Sequence, residues 1–241
     1  MGFVDVTLRT IENQGLAGFL GRVYRTVVRH DSIPRRVASF NGIRARRASV
    51  LELRDEFPDE ERHSISQIDR YVDEGDRAVV IGGGWGLCAV AVARRVGESG
   101  RVTVFEGSEK FAERCRETVR LNSMESRVEV HHATVCETGK LWGDAGSAEV
   151  VESESLPDCD VLQIDCDGAE LEILKGMSIR PRRAIVEIHG MFDVSEEDVD
   201  SVMARYGYET TEKETFDSRF GGHVKTYTLT GSHPELDRTT G

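Results

Sequence analysis

Val79-Val80-Ile81-Gly82-Gly83-Gly84-Trp85-Gly86 decides the reading of this chain. Branched apolar residues run into a turn with glycine at every second position. Leu87 to Val96 then has a helical pattern. Strand, bare-backbone turn and helix together form the nucleotide-binding corner of an open α/β sheet. Glycine suits the turn because it lacks Cβ: the backbone can take positive φ, and a ligand can lie directly on it. Twenty residues after Gly86 a second apolar strand, Val102-Thr103-Val104-Phe105, ends at Glu106. A carboxylate there can accept hydrogen bonds from both hydroxyls of a ribose. The corner therefore predicts an adenosine-containing cofactor over Gly82, Gly83, Gly84, Trp85 and Gly86, with its ribose on Glu106.

Outward from this corner the chain alternates. Strands are expected near 77–81, 101–106, 127–132, 159–164 and 182–188, and helices near 86–96, 109–121 and 169–176. Ser195 and Asp198 form a capping box for a further helix that stops at Gly207. Two last strands are expected near 208–215 and 224–230. The loop 143–157, rich in Gly, Ser and Glu, reads as a mobile segment. The order resembles the class I methyltransferases. That resemblance implies a Rossmann-like α/β fold: a seven-stranded, mostly parallel sheet with helices on both faces.

The N-terminal part reads differently. From Leu16 to Val28 apolar residues recur at helical spacing with Arg22, Arg25 and Arg29 among them. Such a helix docks on the domain or on another subunit, or lies on a membrane surface. Residues 31–58 read as a linker or a small hairpin around Phe40-Asn41-Gly42-Ile43, and 59–74 as a helix. The expected division is an N-terminal extension, 1–75, and a cofactor-binding domain, 76–241.

Composition narrows the function. The 241 residues carry a net charge of −12. Residues 1–50 hold nine arginines against three acids, a balance of +6, which leaves −18 on the remainder. Only five of the 31 basic residues are lysine. This acid-rich, lysine-poor balance resembles proteins of a high-salt cytoplasm, where screening removes self-repulsion. An acidic body argues against nucleic acid as a partner. Five scattered cysteines, never spaced as CxxC, argue against disulfides or a zinc knuckle and for a reducing cytoplasm. No apolar run is long enough for a membrane span.

The spacing of the glycines selects among cofactors. The dinucleotide fingerprint needs a third glycine at position 87, which is leucine here. A second segment is more specific: Val161-Leu162-Gln163-Ile164-Asp165-Cys166-Asp167-Gly168-Ala169-Glu170, then Ile173-Leu174-Lys175-Gly176, then Ala184-Ile185-Val186-Glu187-Ile188-His189. From about residue 77 to 190 the chain resembles the FkbM family of methyltransferases. The resemblance implies S-adenosyl-L-methionine as cofactor and O-methylation of a small-molecule or glycan hydroxyl. By family position, residues 132–134, with Ala133 at their centre, edge the adenine. The chain departs from the family pattern at Val80, Gln163 and Asp167, and Gly84 and Trp85 stand where the turn often has asparagine and an aliphatic residue. Trp85 is expected to cover the sheet.

Methyl transfer from a sulfonium needs alignment and exclusion of water, and a hydroxyl acceptor gains from a general base. Ligands of open α/β sheets lie at the carboxyl ends of strands. Asp165 ends the fourth expected strand, and Glu187 and His189 end the fifth. Asp165 is the candidate for the sulfonium side or the acceptor, and His189 for the base, since imidazole titrates near neutrality. Asp165, Asp167, Glu170, Glu187 and His189 make an oxygen-rich set, but no resident metal is expected: Asp165 and Asp167 need an irregular turn to converge, Glu170 lies in the following helix, and an acid at Asp167 or Glu170 suits a helix start. The competing readings are a nicotinamide-dependent oxidoreductase, disfavoured by Leu87, and a cofactor-binding module without activity. A homo-oligomer and a peripheral membrane contact through residues 5–29 are further expectations.

Overall fold

The computed structural model describes residues 33–136, 146–166, 168–189, 194–216 and 222–230. The expected helix at 5–29, Asp167 and the start of the 143–157 loop lie outside these residues.

The described chain opens with a small sheet. Strands β1 (Arg35–Phe40) and β2 (Ile43–Ser49) form an antiparallel hairpin. Asn41 and Gly42 turn it with φ of 49° and 76°, the left-handed pair that matches the twist of a tight hairpin. A short strand β3 (Glu56–Phe57) adds in parallel to β1. Phe57 stacks on Phe40 with ring centroids 4.7 Å apart. Of the two expectations for 31–58, a linker or a small hairpin, the hairpin is present, and β3 extends it to a three-stranded sheet. Helix α1 (Arg62–Tyr71) follows, with Ile65 and Ile68 buried.

The main body alternates as expected: β4 (Arg77–Ile81), α2 (Leu87–Val96), β5 (Arg101–Glu106), α3 (Glu109–Leu121), β6 (Val128–Val135), β7 (Glu149–Val151), β8 (Val161–Ile164), α4 (Glu170–Gly176), β9 (Arg183–His189), α5 (Glu196–Arg205), β10 (Tyr208–Phe216) and β11 (Gly222–Leu229). Eight strands form one sheet in the order β10-β11-β9-β8-β4-β5-β6-β7. Strand β11 runs antiparallel to both its neighbours, and the other pairings are parallel. The order reverses between β4 and β8, the switch point where open α/β sheets take ligands.

The eighth strand is a departure. Glu149–Val151, expected within a loop, pairs in parallel with Ala133–Val135 and lengthens β6 by three residues. A single 3-10 turn, Ser153–Ser155, follows it.

Alternation sorts the strand residues between two cores. Ala78, Val80, Val161 and Ile185 face α1, α2, α3 and the small sheet. Val79, Ile81, Leu162, Ile164, Ala184 and Val186 face α4 and α5. Ser195 caps α5 as its motif predicts: its Oγ accepts the Asp198 amide at 3.0 Å. Helix α1 is built into the first core, where Ile68 and Val72 are fully buried. Its Gln67 side chain donates to the Val224 carbonyl at 2.9 Å and accepts from Thr226 Oγ1 at 2.5 Å, so α1 reads the backbone and side chain of β11.

Candidate active site

The glycine corner forms at the carboxyl end of β4. The Gly82 amide donates to the Phe105 carbonyl at 2.9 Å, and the Asp165 amide to the Ile81 carbonyl at 2.9 Å. The turn is thereby held between the ends of β5 and β8. A Cβ on Gly82 would lie 1.7 Å from the Asp165 carbonyl oxygen, so close backbone approach requires glycine there. Gly83 and Gly86 are crowded by Val104 and by the Cys115 backbone. Gly84 differs: its φ is +48° and a Cβ would meet nothing within 4 Å, so its face opens on free space.

Glu106 braces this turn. Its Oε2 accepts the Gly84 amide at 2.7 Å and its Oε1 accepts the Ser108 amide at 2.8 Å. Each oxygen keeps a second lone pair. The side chain is 8% exposed. Burial pushes its carboxyl up from the ordinary value, the two amides oppose this, and Asp165 adds to the rise. Trp85 covers the first core, as expected. Phe111 meets its ring edge-on at 5.9 Å, and Arg114 lies over it at 4.0 Å. Ala133 is buried in the second core, so its methyl is a packing group and any contact with an adenine there falls to the backbone.

A second feature was not expected. Carboxylate oxygens of Glu61, Asp165 and Glu187 lie within 4.8 Å of one another. Alternation forbids convergence along one strand, but here the acids come from three elements. Asp165 lies just past β8, Glu187 projects from the neighbouring β9 onto the α1 face, and Glu61 caps α1 in a left-handed conformation, φ 54°. Ser64 Oγ, one turn into α1, donates to Glu187 Oε2 at 2.7 Å. Arg47 of β2 holds Glu60 at 2.7 Å and Glu61 at 3.3 Å, and its guanidinium lies 5.7 Å from the Trp85 ring centroid. Burial first, and the Asp165 charge second, push the Glu61 carboxyl up from its ordinary value against the pull of Arg47. The same three acids surround the buried Cys88, whose thiol is kept protonated by burial above all. Three carboxylates this close do not all ionise without a proton or a cation among them.

The sequence profile of the methyltransferase FkbM domain matches residues 67–210. The chain belongs to the FkbM methyltransferase family. Solved structures show the same fold at low identity. A SAM-dependent O-methyltransferase from Thermotoga maritima is 14% identical, with 83% of this chain and 80% of that chain covered and a TM-score of 0.50. A SAM-dependent methyltransferase from Aquifex aeolicus is 15% identical over 71% of this chain and 94% of its own, TM-score 0.50. A tRNA m1G37 methyltransferase from M. jannaschii reaches a TM-score of 0.56 at 11% identity, with 84% of this chain and 59% of that chain covered. No curated protein matches the chain in sequence.

The FkbM cofactor is S-adenosylmethionine, and this corner fits it. Gly84 leaves open space where a side chain would stand. Glu106 offers two oriented carboxylate oxygens. Ser108 Oγ, buried next to that carboxylate's amide partner, has no hydrogen-bond partner among the described residues. The family membership sets aside the nicotinamide reading. Of the expected catalytic residues, the structure brings Asp165 and Glu187 together. It pairs the His189 backbone with Gly222 at the end of β9, while the His189 side chain lies outside the described residues. Glu170 is not in the trio: it is buried at the start of α4, and its carboxylate accepts the Gly168 amide at 2.8 Å, which matches the helix-start role. Glu61 was missed, because nothing near it in sequence marks a site.

Proposed function

We propose that this FkbM methyltransferase transfers a methyl group to a hydroxyl oxygen of a small molecule or glycan in the cytoplasm, at the carboxyl ends of β8 and β9. The meeting of Glu61, Asp165 and Glu187 beside the glycine turn carries this reading. S-adenosylmethionine, when bound, supplies an electrophilic methyl group on a sulfonium. The chain supplies the rest. Gly84 and Glu106 hold the nucleoside end, and Asp165 stands where β8 meets the turn. An acceptor hydroxyl must lose its proton as its oxygen gains the methyl. In this reading His189, at the end of β9, takes that proton, and the carboxylates hold the hydroxyl and share the positive charge. Ser64 and Arg47 fix two of those carboxylates, so their positions cost no reorganisation during reaction. The acidic body disfavours a nucleic-acid acceptor, although tRNA enzymes share the fold.

The test is S-adenosylhomocysteine release with a panel of hydroxylated acceptors. His189→Ala should lower turnover by about 10²–10⁴ and leave cofactor affinity unchanged. Asp165→Ala should lower both. Full turnover by His189→Ala would remove the base role. Cofactor binding with no release on any acceptor would favour a binding module.

A further inference from the structure

One surface lies apart from the active site. Among the described residues the exposed large apolar side chains are Val50, Leu51, Leu53 and Val150. Three of these fall within four positions between β2 and β3, and Leu53 is 97% exposed. The segment is not a loose loop. The Val50 amide donates to the Pro34 carbonyl at 3.0 Å, and the Glu52 amide to the Ser49 carbonyl at 3.0 Å. The Glu52 side chain returns to the Ser49 amide at 2.9 Å. Arg36 donates to the carbonyls of Glu52 and Arg54 at 2.7 and 2.6 Å and pairs with Asp55. A backbone tied this firmly holds Val50 and Leu53 toward solvent. Exposed apolar groups on a fixed turn mark a contact surface more than a chance excursion.

From this we infer that the basic amphipathic segment 16–30 of the same chain docks on the Val50–Leu53 turn. Two observations choose this occupant. The first is where the segment joins. Ile33 and Pro34 lead into β1, and Pro34 touches Val50 directly. A helix over 16–28 would be about 20 Å long and would end at Val28, in the same short stretch of chain as that contact. The second is apolar pattern. Segment 16–30 holds Leu16, Phe19, Leu20, Val23 and Tyr24 at helical spacing. That stripe matches the exposed Val50, Leu51 and Leu53. The acids beside the turn are already paired, Asp55 with Arg36, Glu60 and Glu61 with Arg47, and Asp59 with Arg62, so apolar contact carries the docking.

The experiment is amide hydrogen exchange on the full-length protein in 0.15 M salt, a level at which screening is about 8 Å. Amides of 18–28 should exchange at least tenfold more slowly than a coil of the same sequence. Val50→Asp with Leu53→Asp should abolish that protection, with cofactor affinity unchanged as the control for folding. If that variant does not fold, Phe19→Asp with Val23→Asp is the second arm and should abolish it too. Coil-like exchange in the unmodified protein would overturn the inference, as would protection that survives both variants. Protection that vanishes on dilution together with a dimer would give the surface to a second copy. Protection that appears only with phosphatidylglycerol vesicles would give it to a membrane.

Discussion

Glu106 braces the glycine turn with both carboxylate oxygens, and we propose that the same carboxylate holds the cofactor's ribose. The Gly84 and Ser108 amides fix its two oxygens, and the free lone pairs remain for ribose hydroxyls. Hydrogen bonds to a charged group are worth about 1.5–3 kcal/mol each. Glu106→Ala should therefore weaken S-adenosylmethionine binding at least tenfold by calorimetry, and unchanged affinity would show that the ribose sits elsewhere. The Gly84 amide finds its acceptor on the next strand, so the turn is braced from β5 and not from Val80 of β4. Glu61 carries a second residue-scale prediction. Its folded pKa is raised, so the native state binds the proton more tightly than the unfolded chain. Stability from this group is present below the unfolded value of about 4.5 and is lost as pH rises through the folded one. Glu61→Gln removes that loss. The difference in melting temperature, variant minus parent, should grow more positive as pH rises across this window; a difference independent of pH would rule out the raised pKa. The place of Glu106, at the end of β5 beside the glycine turn, was legible in the sequence because its strand and spacing are local. Glu61 was not, because its partners stand more than a hundred residues away and only the packing of α1 on β9 brings them together.

At the scale of elements, strongly patterned pieces were readable and weakly patterned ones were not. The alternating strands β4, β5 and β8 and the capped α5 follow from periodicity and capping chemistry. Strand β7 contains one Val-Val pair in a polar stretch, too little apolar surface to signal a strand without β6 beside it. The division at residue 75 rested on motif position, and motif position says nothing about packing. Ile68 is fully buried in the core that also holds Val80 and Val104. Ile68→Ala should cost about 2–5 kcal/mol in denaturant unfolding, as for other large-to-small core changes. A helix merely appended to the domain would lose under about 0.5 kcal/mol.

The whole molecule carries its charge unevenly, and its ion pairs do not cancel the excess. Arg182 bridges Asp73 and Asp76, and Lys225 bridges Glu196 and Asp200, yet the net charge is −12. Repulsion of this kind is screened over about 10 Å at 0.1 M salt and about 3 Å at 1 M. We propose that the protein is adapted to high salt. Raising potassium chloride from 0.1 to 2 M should then stabilise it by about 2 kcal/mol, a rise of roughly 4–8 °C in melting temperature. Unfolding on raising the salt would refute the adaptation.

The place of β11 has a consequence for how the chain is made. It lies between β9 and β10, although both are synthesised before it. Until residues 222–229 emerge, β9 presents an open edge of unpaired amides and carbonyls, and β10 has no strand to join. The glycine corner can form on a nascent chain, whereas the other side of the sheet must wait for residues 222–229. At about 5–20 residues per second, the 32 residues between the end of β9 and the start of β11 delay that closure by roughly 2–6 s. Throughout that interval Gln67 of α1 lacks both its partners, the Val224 carbonyl and the Thr226 hydroxyl, so the arrival of β11 is what locks α1 in place.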